Sequence, residues 1–360
     1  MKKFMKHTFA LLAAALISVS AFVSNSAEVA TEVQAQNPPA GTYYSELTGL
    51  PIDANLMMQR PIAVMVDNEK TALPHYGLTE ADIVYEMMNS TANGRITRFM
   101  AIVKDWGKIT QFGSIRSARP TNFMLAAEYN AILCHDGGPY YINAYTKLPY
   151  INNLSGGFAR FNNGKRVEYT EYITLNNYHN ATKGQSYAGL LQRINAAKYS
   201  VNYNEYYSGQ HTTFSPTEFT LDAMPTAKAA NNVTLPFPHN SSKLTYNTTT
   251  GTYDYSEYGM AHVDPAHNNA RLTFENVLLL NCSWSQLDAN GYMVYNILCT
   301  GWDGYYLTNG KAIPITWTKL SDLSRTVYFD KATGQELILN PGKTYIGIVP
   351  SDVWNQVVIK

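Results

Sequence analysis

Three apolar runs constrain this chain more than anything else in it: Pro61-Ile62-Ala63-Val64-Met65-Val66, Ile83 to Met88, and Ile96 to Val103. Runs of this length with β-branched residues read as strands. Where polar alternation is missing, they read as strands buried on both faces. Helical patterns follow them. Pro120 is preorganised for a first helical turn, so Thr121 to Tyr129 is expected to be helical. Tyr140 to Lys147 is expected to be a second helix, and Tyr187 to Lys198 a third, with Leu190, Leu191 and Ile194 on one face. Ala131 to Cys134 reads as a further short strand. Strands interleaved with helices predict a layered α/β domain over residues 46–210.

The rest of the chain has a different texture. Residues 211–231 hold prolines and alanines without a clear period and read as a connection. From 232 to 360, short strands alternate with the turn signals Thr250-Gly251, Asn290-Gly291, Asn309-Gly310, Thr333-Gly334 and Pro341-Gly342. That spacing predicts a smaller, mainly antiparallel β domain. At the other end, Lys2, Lys3 and Lys6 precede an almost uncharged stretch from Thr8 to Val23, the pattern of a secretory signal peptide, assigned here to residues 1–27. Residues 28–45, with Pro38-Pro39, read as a disordered linker. The first cysteine is Cys134, so the sequence argues against a lipid anchor on an N-terminal cysteine. No later segment is long and apolar enough to cross a bilayer. The expected location is secreted or extracytoplasmic, at the cell envelope.

The 27 basic and 27 acidic side chains balance, which argues against nucleic acid as a partner, because phosphate neutralisation needs a basic stripe. Three cysteines make no disulfide scaffold. A two-residue type I′ turn at Asn290-Gly291 nonetheless sets Cys282 opposite Cys299, at a separation that accepts a disulfide. Two buried free thiols are the other reading, and Cys134 is left unpaired in either case.

Several motifs carry a resemblance. Leu47-Thr48-Gly49-Leu50, Arg60-Pro61-Ile62-Ala63-Val64-Met65-Val66-Asp67-Asn68 and Gly77-Leu78-Thr79-Glu80-Ala81-Asp82-Ile83-Val84-Tyr85-Glu86 resemble the YerB-like family of bacterial envelope proteins. The likeness continues through Gly113-Ser114-Ile115-Arg116-Ser117-Ala118-Arg119-Pro120, His262-Val263-Asp264, Ile315-Thr316-Trp317-Thr318-Lys319 and Leu339-Asn340-Pro341-Gly342-Lys343. It implies two domains, an N-terminal α/β layer and a smaller C-terminal one, and no chemistry, since the family has no established function. The chain departs from the family in lacking a lipid-modified cysteine before Leu47. It also has no counterpart of a Pro-His-Asn triplet near 166–177.

Ile115-Arg116-Ser117-Ala118-Arg119-Pro120 is the strongest local signal. Two arginines sit where a helix begins, and free amides and the helix dipole favour negative charge there. Arg98, on the preceding strand, can converge on the same place. Guanidinium groups suit carboxylate or phosphate, so Arg98, Arg116, Ser117 and Arg119 are the expected floor of an anion-binding cleft. Internal pairing with Asp67, Asp82 or Glu86 is the competing reading. His135 and Asp136 follow the next strand, and His262 and Asp264 come from the second domain; all four are expected at the rim. His262, Asp264 and His267 are potential metal ligands, but Pro265 and Asn268-Asn269 read as a turn, and no metal or cofactor is expected. No P-loop, nucleophile elbow or zinc motif occurs. The reading is therefore a non-enzymatic protein that binds an anionic cell-wall component or an envelope protein. The alternative is a hydrolase or transferase acting on wall polymers with His135 or Asp136 as general base.

Overall fold

The computed structural model describes residues 37–360; the expected signal peptide and the first half of the linker lie outside them. The three apolar runs form strands Ile62–Asp67, Ile83–Met88 and Thr97–Val103. Every residue of the first two is buried, and in the third only Arg98 is not. Thr97–Val103 lies between the other two, antiparallel to both. Ile132–His135 then adds in parallel to Ile62–Asp67, and Asn152–Ser155 in parallel beyond it.

The same sheet continues into the second half of the chain. Thr344–Pro350 pairs in parallel with Ile83–Met88, and Asn276–Cys282 in parallel with Thr344–Pro350. Cys299–Thr308 and Lys311–Lys319 extend it antiparallel. The result is one eleven-stranded mixed sheet drawn from both halves. A six-stranded sheet built on Asn232–Thr234, Lys243–Asn247 and Thr252–Glu257 stands beside it.

The fold is mainly β, which corrects the α/β expectation. Among the described residues there are two α-helices, Pro120–Glu128 and Leu190–Ala196. The expected helix at Tyr140 to Lys147 breaks into two 3-10 turns, Tyr140–Asn143 and Tyr145–Lys147. Its tyrosines, Thr146 and Asn143 are indifferent helix formers. The third begins only after Gly189, because Gln185–Tyr187 is paired as a strand with Tyr178–Asn180. The expected linker also ends early: Thr42–Tyr44 pairs with Pro51–Asp53.

The hairpin at Asn290-Gly291 differs in register from the expected one. Asp288 Oδ1 accepts from Asn290 N at 3.0 Å, and Gly291 N donates to Asp288 O at 3.0 Å, which makes a four-residue loop, Asp288 to Gly291. Gly291 takes the positive φ of +80° that closes it. Trp284 consequently faces Tyr295, two residues from the expected partner, Ile297. Cys282 stays in the main sheet opposite Pro350 while Cys299 pairs with Lys319, and both thiols are free. The proposed disulfide is therefore not formed.

Buried polar groups join the two halves. Glu86, wholly buried in its strand, accepts from Ser242 Oγ at 2.6 Å, Tyr345 OH at 2.6 Å, Thr97 Oγ1 at 2.7 Å and Tyr255 OH at 3.0 Å. Asp264 accepts from Gly77 N at 3.0 Å, Thr79 N at 3.1 Å and Thr79 Oγ1 at 2.7 Å. Charge-assisted bonds of this kind contribute about 1.5–3 kcal/mol each, and here they fix one half of the chain against the other.

Candidate functional site

The strands Ile62–Asp67 and Ile83–Met88 end at the edge of the sheet where Thr97–Val103 begins. Antiparallel register places Arg98 opposite both Asp67 and Met87. The extended segment from Ser114 to Arg119 crosses this edge. It is held by Asp67 N donating to Ser114 O at 3.0 Å and Arg116 N donating to Met65 O at 3.0 Å. On its other side Asp136 N donates to Arg116 O and Ala118 N to Gly137 O. With the backbone tied on both sides, Arg116, Ser117 and Arg119 join Arg98 around one open cavity of about 620 Å³. Asp67, Glu69, Asn89, Tyr169 and Tyr292 are among the other residues that line it.

Charge in this cavity is unbalanced. Arg116 Nε lies 2.7 Å from Asp67 Oδ2. That distance makes an ion pair, although the N–H points poorly at the oxygen and forms no good hydrogen bond. Arg98 Nη1 donates to Ser117 O and Ser117 Oγ at 2.8 Å each and to Asn89 Oδ1 at 3.1 Å, all neutral acceptors. Arg119, which is buried, donates through Nη1 to Ala118 O at 3.0 Å and Ser117 Oγ at 3.1 Å. Its guanidinium carbon stacks 4.4 Å from the centre of the Tyr292 ring. Burial holds the Arg98 guanidinium below its usual value, and Arg116 adds to the effect although Asp67 opposes it. Arg119 is lowered by burial, then by Arg98 and Arg116, with Tyr292 opposing. Three cations against Asp67 and Glu69 leave an excess of positive charge. Glu69 is itself engaged, 3.0 Å from His239 Nε2.

Internal pairing therefore accounts for one arginine of the three. Asp82 accepts from the Lys104 backbone at 2.7 Å, and Glu86 is taken up by hydroxyl groups, so neither reaches these cations. The helix start contributes less than expected. Pro120 has no N–H, Asn122 N donates to Arg119 O at 2.9 Å, and Arg119 N donates to Asn122 Oδ1 at 2.7 Å. The side chains, and not the helix amides, make this site.

The four expected rim residues do not line the cavity. His135 is buried against Phe123, with Nδ1 2.8 Å from Gly137 O and Nε2 3.2 Å from Asn153 Nδ2. Asp136 lies 3.4 Å from Arg160, which bonds Glu171 at 2.9 Å. Asp264 is consumed in fixing Gly77 and Thr79. Burial opposes its charge, but those donors hold its carboxyl below the usual range. The second-half loop does cross to the first half, but it docks on residues 75–79 and not on the arginines. His262 Nε2 meets His75 Nδ1 at 2.8 Å. Tyr169 and Tyr292 were missed, since each is carried in from far along the chain. The one local hint was that Tyr292 directly follows the Asn290-Gly291 turn.

A mainly β chain of two halves sharing a sheet, with an arginine-lined cavity at the sheet edge, is the class of protein defined so far. Residues 47–188 match the N-terminal domain, and residues 233–346 the C-terminal domain, of the family described as "Protein of unknown function (DUF3048)", and the chain belongs to that family. It is 27% identical over 318 residues to the Bacillus subtilis (strain 168) protein named "Putative lipoprotein YerB", spanning 84% of this chain and 85% of that one. The crystal structure of YerB from Bacillus subtilis superposes with a TM-score of 0.71 at 22% identity. That match covers 88% of this chain and 99% of that one, and it shows a shared fold. No described helix is long and apolar enough to cross a membrane.

Proposed function

We propose that the cavity bounded by Arg98, Arg116 and Arg119 receives a carboxylate- or phosphate-bearing component of the cell envelope. The observation that carries this reading is the pair of guanidinium groups, Arg98 and Arg119, which face the cavity with only neutral acceptors. Partly or wholly buried cations that repel one another are stabilised by any anion that reaches them. Guanidinium forks bind carboxylate and phosphate with directional, charge-assisted bonds. Ser117 Oγ already accepts from two arginines, so its own proton is free to donate toward the same guest. An envelope location is supported by the basic, then apolar, N-terminus and by the printed name of the Bacillus relative.

Calorimetric titration of the protein with inorganic phosphate, muropeptides and teichoic-acid fragments tests the proposal. The wild type is compared with Arg119→Gln and Arg116→Ala. Loss of one charge-assisted contact is expected to weaken binding about 10- to 100-fold. Absence of binding by the wild type, or equal affinity in all three proteins, sinks the receptor reading.

A further inference from the structure

Away from the arginines, three buried side chains from two distant parts of the sequence bring ligating atoms together. His75 follows the first strand of the sheet, and Glu257 and His262 flank the tight turn between Thr252–Glu257 and Met260–Ala261. One nitrogen of each histidine and one oxygen of Glu257 all lie within 4.8 Å of one another. All three residues are at most 3% exposed.

Hydrogen bonding alone leaves this group unfinished. His75 Nε2 is 2.6 Å from the Asp67 carbonyl, which only accepts, so that nitrogen carries the proton and Nδ1 presents a lone pair. A neutral His262 that donates from Nε2 to His75 Nδ1 is left with Nδ1 buried and unpartnered. Glu257 Oε1 is likewise buried without a donor, 3.9 Å from His262 Nε2. Orphaned buried groups of this kind cost about 1–3 kcal/mol each, and more when charged.

We propose that His75 Nδ1, His262 Nε2 and Glu257 Oε1 bind a divalent transition metal, zinc foremost. The metal accepts lone pairs from all three atoms and so supplies Glu257 Oε1 with a partner. His262 Nδ1 then carries the ring proton and still has no protein partner, so the gain from the metal is at Glu257 Oε1. Imidazole and carboxylate ligands suit zinc. The Asp67 carbonyl on His75 Nε2–H is the kind of outer partner that fixes a ligating histidine's tautomer. Zinc bonds of about 2.0–2.1 Å require neighbouring ligand atoms roughly 3.3 Å apart; two of the three pairs here bracket that value at 2.8 Å and 3.9 Å, and the third lies within 4.8 Å. Small side-chain movements therefore close the site. Three protein ligands leave one tetrahedral position. Glu257 and His262 also border a largely apolar cavity of about 350 Å³ with Leu73, Pro74 and Met260, from which a water or small ligand can reach that position. This site is distinct from the anion cavity, though Asp67 touches both: its carbonyl orients His75 and its carboxylate holds Arg116.

The untagged full chain, stripped with chelator and then dialysed against zinc, is expected to retain one equivalent by elemental analysis and to melt at a higher temperature than the stripped form. Cobalt in place of zinc is expected to give the visible absorption of a four-coordinate nitrogen and oxygen site. Glu257→Gln and His262→Gln should each weaken zinc binding by about 100-fold or more, while His267→Gln, at a partly exposed histidine outside the group, leaves it unchanged. The proposal is overturned if the wild type retains no metal, if Glu257→Gln and His262→Gln bind as it does, or if His267→Gln is the variant that loses it. Should both ligand variants fail to fold, the wild-type cobalt spectrum decides: an octahedral, weakly absorbing ion also overturns the site.

Discussion

The two ends of the helix Pro120–Glu128 treat buried charge differently. At its last residue, Glu128 Oε2 accepts from Lys319 Nζ at 2.8 Å and from Thr326 Oγ1 at 2.8 Å, and Oε1 accepts from Thr326 N at 2.7 Å. Lys319 completes its own shell with Ser324 O at 2.6 Å. A carboxylate at a helix C-terminus opposes the helix dipole, so this enclosed pair has to hold it. At the other end, Arg119 meets only neutral oxygens and an aromatic face, beside two more guanidinium groups and an open cavity. Saturated partners at one end describe a structural joint between the two halves of the chain. Unsaturated cations at the other describe a place for something to bind.

Removing one member of a saturated pair strands its partner. Lys319→Met is therefore expected to cost about 3–5 kcal/mol in urea unfolding, because Glu128 remains buried without its cation. Arg119→Gln strands no acid and loses its stacking on Tyr292 and its bonds to two neutral acceptors, so about 1–2 kcal/mol is expected in the same assay. Equal losses in the two variants would remove the distinction between joint and receptor.

A smaller effect sharpens the contrast within the cavity itself. Asp67 is the one acid paired with these arginines, and its carboxylate competes with any incoming anion for Arg116. Asp67→Asn should therefore raise phosphate affinity by about fivefold, the equivalent of roughly 1 kcal/mol for a partly exposed pair. A fall in affinity would mean instead that Asp67 positions Arg116 and that the ligand needs it there.

Much of this contrast was legible in the sequence, and the unreadable part has a physical reason. Continuous apolar runs can be satisfied in few ways, so the strands Ile62–Asp67, Ile83–Met88 and Thr97–Val103 followed directly from them. Arg98 stood out as the charged interruption of one such run, and Arg116-Ser117-Ala118-Arg119 as cations spaced by small residues. His135 and Asp136 were misplaced because position after a strand says which end of the sheet a residue occupies and not what packs over it; Phe123 and Arg160 decide that. The Cys282–Cys299 pairing failed on one local choice, the Asp288 side chain capping a four-residue loop in place of a two-residue turn. His75, Glu257 and His262 carried no spacing signal at all. One hairpin holds Glu257 and His262 together, and tertiary docking brings His75 to them.

Asp82 is an intermediate case between the two helix ends, read through pH. Its carboxylate has a backbone donor, Lys104 N at 2.7 Å, but no cation in contact. Burial pushes its carboxyl up to about 6, against the pull of that hydrogen bond and of the more distant Lys343. The folded protein thus keeps a proton that the unfolded chain has released between about pH 4 and 6. Stability from this group is fully present below the ordinary carboxylate range and is lost as pH rises through 6. Urea unfolding of wild type and Asp82→Asn at several values from pH 4 to 7 reads this directly. The variant should gain on the wild type across that window and hold a constant difference above it. A difference that does not change with pH would place Asp82 with Glu128, among the charges the fold has already satisfied, and the gradation from joint to receptor would lose its middle member.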